Sequence, residues 1–532
     1  MAVTRRKTGS KISKPSKPSE PSKPSKPPKP SAGRAMQVRV RMYRQGLGDC
    51  FLVTFDVGHQ EKHMLIDCGT LGATTTGIKL ADVVADIRTT TKDHLHVLVA
   101  THEHWDHVAA FGSLEDEFKK IKVDHVWLAW TENPKDALAQ KIAKQKKDLA
   151  ATLVAAAKAL AGSQSPESAA MGLAVRDVLG FFGEEDVLGA GAFGEKLNEA
   201  MQFVRTGLGA APRYYNPGDG PIEEAWLPGF RIYVLGPPKS EAALNDLGEK
   251  GSSELYGIVA GLGAGARLHV SGENLGPYAA NLGTTEERAD LDSTLPFDSR
   301  FRHERDSPLI QDLLKDTYFA KSEAWRSVDE DWLHVATDLA LQLDSATNNT
   351  SLALAIERVS DGKVLLFPAD AQQGSWLSWH APAMKWTVKG ANGGSHAVTA
   401  SDLLGRTVFY KVGHHSSHNA TAKSKGLEQM QQRDELTAFI PVDRAVALGR
   451  NPPGSWKMPA RTLYRRLLEQ CRGRVVRSDI GWATDSKLAE NKAVEKEFDG
   501  LATTTEWTSW KQSQQAASHI SISKLYVEFT LK

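Results

Sequence analysis

Residues 101–107 read Thr-His-Glu-His-Trp-Asp-His. Three histidines and a carboxylate, His102, His104, Asp106 and His107, fall within six positions. Neutral imidazole and carboxylate together suit borderline divalent ions, zinc first, with manganese or iron also accommodated. The segment before the cluster, His94-Leu-His-Val-Leu-Val-Ala100, reads as a buried strand. The cluster therefore lies where a strand gives way to a loop. There, alternate side chains can converge on one metal while the residues after them turn back toward a second. With 17 histidines in 532 residues, composition alone does not produce this run of ligand-type side chains.

Further segments fall in a consistent order around it. Upstream, Gln45-Gly-Leu-Gly-Asp-Cys-Phe-Leu-Val-Thr-Phe55 is followed by Met64-Leu-Ile-Asp-Cys-Gly69. Downstream come Lys363-Val-Leu-Leu-Phe-Pro-Ala-Asp-Ala371 and Val408-Phe-Tyr-Lys-Val-Gly-His-His-Ser-Ser-His-Asn-Ala-Thr421. Together with the heptad, these resemble the motifs of the metallo-β-lactamase superfamily. The Gly-Asp-Cys opening and the His-His-Ser-Ser ending look most like the hydrolase domain of ComEC-type competence proteins and the related phosphorylcholine esterases. The matching islands span roughly residues 37–445 and are separated by long inserts.

The resemblance implies an αββα sandwich with two metals between its sheets. His102 and His104 would hold the first. Asp106, His107 and a histidine of the 414–415 pair, His415 by motif position, would hold the second. Asp370 would bridge them. Asp67 would accept a hydrogen bond from a metal-bound imidazole; otherwise it is a strand-end turn residue. A metal-bound hydroxide would attack phosphorus or carbonyl carbon, with Asp106, Asp370 and His414 in catalytic roles. Lys411 or His418 could assist the leaving group, or simply face solvent.

One element of the family pattern is absent. The first metal usually takes a third histidine from the middle of the chain, where this sequence has Thr347-Asn-Asn-Thr-Ser351. Asn348 or Asn349 stands there instead. His269, His303 and His334 remain candidates, although each sits in an insert, where a lone histidine is more often structural.

Formal net charge is +1, but residues 1–35 hold ten Lys/Arg and one Glu, so the remainder carries −8. That Lys-Pro-Ser tail has almost nothing apolar to bury and is expected to be disordered. It reads as a solvated spacer or as a basic tether for nucleic acid, anionic lipid or another polyanion. No apolar h-region and no run of membrane-spanning length is seen. Three cysteines, Cys50, Cys68 and Cys471, form no disulfide framework and fit a reducing cytoplasm. Cys50 and Cys68 read as buried small hydrophobes.

Strand-helix-strand order from 37 to 130 predicts an α/β class. Gln37-Val-Arg-Val-Arg-Met-Tyr43 alternates as an edge or half-buried strand should. Inserts at about 134–210 and 239–345 read as a helical hairpin or bundle and a Gly-rich piece with polar helices. Both are candidate lids or protein-partner surfaces. Asp361-Gly362 predicts a hairpin turn. Residues 446–532 read as an extension completing or capping the 36–445 domain, with packing tryptophans at 456, 482, 507 and 510.

The leading expectation is a phosphodiesterase acting on nucleic acid or a small phosphodiester. Acyl (lactone or thioester) hydrolysis on the same site is the alternative. A partner-dependent scaffold with a degenerate site is the third reading.

Overall fold

A computed structural model describes residues 36–58, 60–72, 74–161, 166–183, 194–246, 254–255, 307–317, 334–390, 394–449, 456–482 and 500–532. The basic tail, the Gly-rich piece at 257–276, His269 and His303 lie outside the described residues, as does the side chain of His334. All of the described residues belong to one compact unit, Ala35–Lys532.

The first sheet is built from β1 (Val38–Tyr43), β2 (Cys50–Val57), β3 (Gln60–Cys68), β4 (His94–Val99), β5 (Lys122–Ala129) and β6 (Pro212–Tyr215). From β1 to β3 the pairing is antiparallel, and from β3 to β6 it is parallel. The change of direction needs a crossover, and the helix Leu80–Thr91 supplies it between β3 and β4.

The second sheet begins with β7 (Phe230–Gly236), β8 (Ala353–Arg358) and β9 (Lys363–Phe367). β8 and β9 form the hairpin whose turn contains Gly362 at φ +73°. A separate two-stranded ribbon, β10 (Lys385–Lys389) with β11 (Ser395–Thr399), follows. The sheet continues through β12 (Thr407–Lys411), β13 (Thr437–Ile440), β14 (Val475–Arg477) and β15 (Gly481–Trp482). Its order is β15-β14-β13-β12-β9-β8-β7.

β16 (Ile520–Ile522) and β17 (Tyr526–Leu531) return to the first sheet, where β17 pairs with β1. This corrects the expected placement of β1. It is an inner strand, buried almost throughout, because the far C-terminus covers its second edge. On this strand Arg41 is buried against Asp86, Glu528 and the ring of Tyr526. Residues after 446 thus supply strands to both sheets, and Trp510 packs in their core.

The sheets face each other across an apolar layer. Val40, Val53, Met64 and Val99 meet Ile232, Leu354, Leu365 and Phe409 there. Each such side chain contributes roughly 1.5–3 kcal/mol on burial. Apolar side chains on the other faces of the sheets pack with the helices, including Leu80–Thr91, Trp105–Ser113 and Arg461–Gln470. The architecture is mixed α/β and consistent with a metallo-β-lactamase fold.

The first insert is a helical hairpin, Ala137–Ala161 against Pro166–Leu179, and the helix His334–Asn348 packs on both. Among the described residues, no helix is long and apolar enough to cross a membrane.

Candidate metal centre

Four of the segments that carry ligand-type residues leave the C-terminal ends of strands that pair in parallel. Asp67 ends β3, the heptad follows β4, Asp370 follows β9, and His414 and His415 follow β12. Carboxyl ends of parallel strands are where open α/β sheets bind ligands, because the strand direction changes there and leaves a crevice.

The heptad is held from two sides. Thr101 donates its N–H and its hydroxyl to Asp67, at 2.8 and 2.7 Å. Its carbonyl accepts from Leu352 N–H, at the start of β8 in the other sheet, at 2.9 Å. His104 is the N-cap of the helix Trp105–Ser113, which puts Asp106 in the first turn. A carboxylate is favoured at that positive helix end. Gly69 lies so close that a β-carbon there would sit 2.3 Å from the carbonyl carbon of Asp106.

The ring nitrogens sort themselves by partner. His107 Nδ1 donates to Asp67 Oδ2 at 2.7 Å, and His415 Nδ1 donates to Pro441 O at 2.6 Å. His102 Nδ1 lies 3.1 Å from Thr101 Oγ1 and 3.3 Å from Ser351 Oγ. These outer contacts leave three Nε2 atoms facing inward. His102 Nε2 is 3.1 Å from His104 Nδ1, His107 Nε2 is 3.1 Å from Asp370 Oδ2, and His415 Nε2 is 2.9 Å from Asp106 Oδ2. Two groups of convergent donors result, His102/His107/Asp370 and Asp106/Asp370/His415, with Asp370 common to both.

His414 faces elsewhere. Ser417 donates to Asn419 Oδ1, whose own amide is spent on Gln372, so Ser417 Oγ accepts from His414 Nδ1 at 2.8 Å. The proton is therefore on Nδ1, and Nε2 is a lone pair 3.5 Å from Asn348 Nδ2. The His414 N–H donates to Asp370 Oδ1 at 2.8 Å.

Lys411 takes a different place from the one its sequence suggested. Its three protons meet Asp370 Oδ1 at 2.9 Å, Ala369 O at 2.9 Å and Asp49 Oδ2, so it positions Asp370 and has no donor left for a leaving group. Asn349 is likewise spent on backbone groups. Its Nδ2 donates to Leu244 O and Asp246 O, and its Oδ1 accepts from Gln372 N–H. Asn348 Oδ1, by contrast, is buried without a partner. His418 is half-buried, outside these contacts, and burial lowers its pKa.

The electrostatics are those of a cation site. Burial alone would lower the pKa of His107, but Asp370, Asp49, Asp106 and Asp67 outweigh it and hold it well above the ordinary value. Burial opposes ionisation of Asp370, yet Lys411 and His107 hold it well below the carboxylate range. Burial pushes His104 down to about 3 and His414 down to about 4. Both are therefore neutral imidazoles at neutral pH, as ligands and acceptors must be. Asp49, Asp67, Asp106, Asp344 and Asp370 are all buried around Lys411 and His107, and burial holds Asp49 and Asp344 above the ordinary carboxylate range. Asp49 Oδ1, Asp106 Oδ1, Asp344 Oδ1 and His104 Nε2 are buried with no hydrogen-bond partner. The residues present thus fit a divalent metal.

Backbone strain collects at the same strand ends. Asp67 (φ +56°), Ala369 (+51°), His414 (+40°), His415 (+52°) and Ser416 (+65°) all adopt left-handed conformations. Non-glycine residues there cost on the order of 1–3 kcal/mol each and persist where surrounding contacts over-determine them.

Sequence reasoning missed Asp49, Ser351 and Asp344. Asp49 stands within the quoted Gly-Asp-Cys opening but carried no role. Ser351 closes the quoted Thr347-Asn-Asn-Thr-Ser351 stretch but likewise carried no role, and Asp344 has no motif around it.

The fold and this cluster together describe an α/β sandwich with a buried histidine–aspartate centre at its strand ends. Residues 43–158 match the family model described as Metallo-beta-lactamase superfamily, less than a quarter of the 532-residue chain. No curated protein matches the chain. The matched region contains Asp49, Asp67 and the whole heptad, while Asp370 and His415 lie beyond it.

Proposed function

We propose that the protein is a metal-dependent phosphodiesterase, with nucleic acid or a small phosphodiester as substrate. The reading is carried by one observation: two groups of convergent, buried donors share the single carboxylate of Asp370. By motif position His102 and His104 would hold one ion, Asp106, His107 and His415 a second, and Asp370 would lie between them. In the structure, however, His107 converges with His102 and Asp370, and His104 stands outside both groups. Bound divalent ions lower the pKa of water to near 7 and offset charge developing on a transferred phosphoryl group.

The chain's own residues have separable tasks in this reading. Asp67 orients His107 through Nδ1. Lys411 and Asp49 hold Asp370. His414, neutral and with its Nε2 lone pair turned toward Asn348, accepts a proton or orients substrate and cannot neutralise it by charge. The ComEC-type likeness of the Gly-Asp-Cys and His-His-Ser-Ser segments favours phosphorus over acyl carbon. Zinc suits the imidazole-rich donor set. The unpaired Cys50, Cys68 and Cys471 fit a reducing compartment.

The test is metal content by mass spectrometry, with hydrolysis of bis-para-nitrophenyl phosphate, for wild type, His102→Ala and Asp370→Ala. Bound metal and turnover that both fall in the variants are expected. Bound metal without turnover on this diester, but with turnover on a thioester or lactone, would replace phosphodiester by acyl hydrolysis. No bound metal would overturn the reading.

A further inference from the structure

Among the described residues no third imidazole faces the first metal position, and the helix His334–Asn348 brings a carboxylate beside His104. Asp344 is 5% exposed on a helix whose neighbouring buried positions are Ala340, Leu343, Thr347 and Asn348. A carboxylate in such surroundings is costly unless something inside requires it.

Its two oxygens face two histidines. Asp344 Oδ1 lies 3.9 Å from His104 Nε2, and Oδ2 lies 3.9 Å from His414 Nε2. Oδ2 also accepts from Asn348 Nδ2 at 3.2 Å, one helical turn along. His104 Nδ1 is the nitrogen turned to His102 Nε2, so a neutral His104 that binds through Nδ1 must carry its proton on Nε2. That buried N–H has no acceptor in hydrogen-bond range, and Asp344 Oδ1, which faces it, has no donor. The gap exceeds a hydrogen bond by about 1 Å, a shift within reach of a side-chain rotation. Phe181 and Phe182 pack against the His104 ring and offer no competing acceptor.

We propose that Asp344 is the positioning residue of the first metal: it takes the Nε2–H of His104 and so fixes the tautomer that presents Nδ1. This rests on the metal-dependent reading above. A ligand's outer carboxylate fixes ring orientation and raises basicity, and its loss typically costs about 10–100-fold in metal affinity.

The experiment is a Zn2+ titration of the full chain by calorimetry, with thermal unfolding of the metal-free protein. Wild type is expected to bind two ions. Asp344→Ala and the near-isosteric Asp344→Leu should weaken one of them by about 10–100-fold and leave the other unchanged. Asp344→Asn keeps an acceptor oxygen and should restore part of the loss. A residue that only held the helix in place would lower the metal-free melting temperature of Asp344→Leu. Removal of an unpaired buried carboxylate should leave it equal or raise it. Two unchanged affinities in Asp344→Leu, or a lowered metal-free melting temperature with intact binding, would overturn the inference and leave the phosphodiesterase reading standing. Absence of Zn2+ binding in wild type would overturn both.

Discussion

The two ends of β4 carry the same kinds of residue and arrive at different states. At its start, His94, His96 and Asp124 of β5 bring ligand-type atoms within 4.8 Å of one another, and past its end the heptad does the same with Asp370. At the start, the nitrogens are already committed. His96 Nδ1 accepts the His63 N–H at 3.2 Å, which leaves its proton on Nε2 and no lone pair for a metal. His94 Nε2 is bonded to Asp124 at 2.7 Å, and the His96 ring stacks on His94 and Trp226. At the far end, the outer nitrogens of His107 and His415 are tied to Asp67 and Pro441 O, so their Nε2 atoms face inward, onto Asp370 and Asp106. A candidate metal centre is thus distinguished by which nitrogen is turned inward onto shared carboxylates, and residue type alone does not decide it.

The contrast can be broken most forcefully at Asp67. Asp67→Ala removes the acceptor of His107 Nδ1 and both anchors of Thr101. Zn2+ affinity of the position held by His107 should fall by about 10–100-fold; a titration showing no loss would mean that the outer acceptor does not define the site.

A second prediction concerns pH. Burial lowers His63 and His96 from 6.5 to about 4. The unfolded chain therefore binds protons that the folded chain refuses, so their stability contribution is complete above pH 6.5 and is lost as pH falls toward 4. The melting temperature of wild type should drop across that window, and His96→Phe should show a shallower drop. Equal slopes would place the acid sensitivity elsewhere.

The smallest expected effect is none. His94→Ala and Asp124→Ala should leave the metal-to-protein ratio at its wild-type value. A ratio reduced by one ion would show that the start of β4 is also a metal site.

Much of this was legible in one dimension because it is local. The β4 run, the Asp361-Gly362 turn, the helix over Arg461–Gln470 and the helical character of the first insert follow from periodicity and turn chemistry within a few residues. The heptad is local too, so a divalent-metal chemistry could be read from its residue types. Contacts across hundreds of residues were not legible. β1 became an inner strand only because Tyr526–Leu531 lies beside it. Lys411 looked like a free cation until Asp49 and Asp370 closed around it. The choice between His414 and His415 was left open by two adjacent identical residues, which a left-handed turn aims in different directions.

The sequence by itself therefore determined the donor chemistry and the order of the strand ends that deliver it. Only the tertiary structure decided which nitrogen of each histidine faces the centre and that Asp344 stands beside His104. The reason is physical: identity of a ligand is a property of one residue, whereas the lone pair it has to offer depends on every hydrogen bond its neighbours have already claimed.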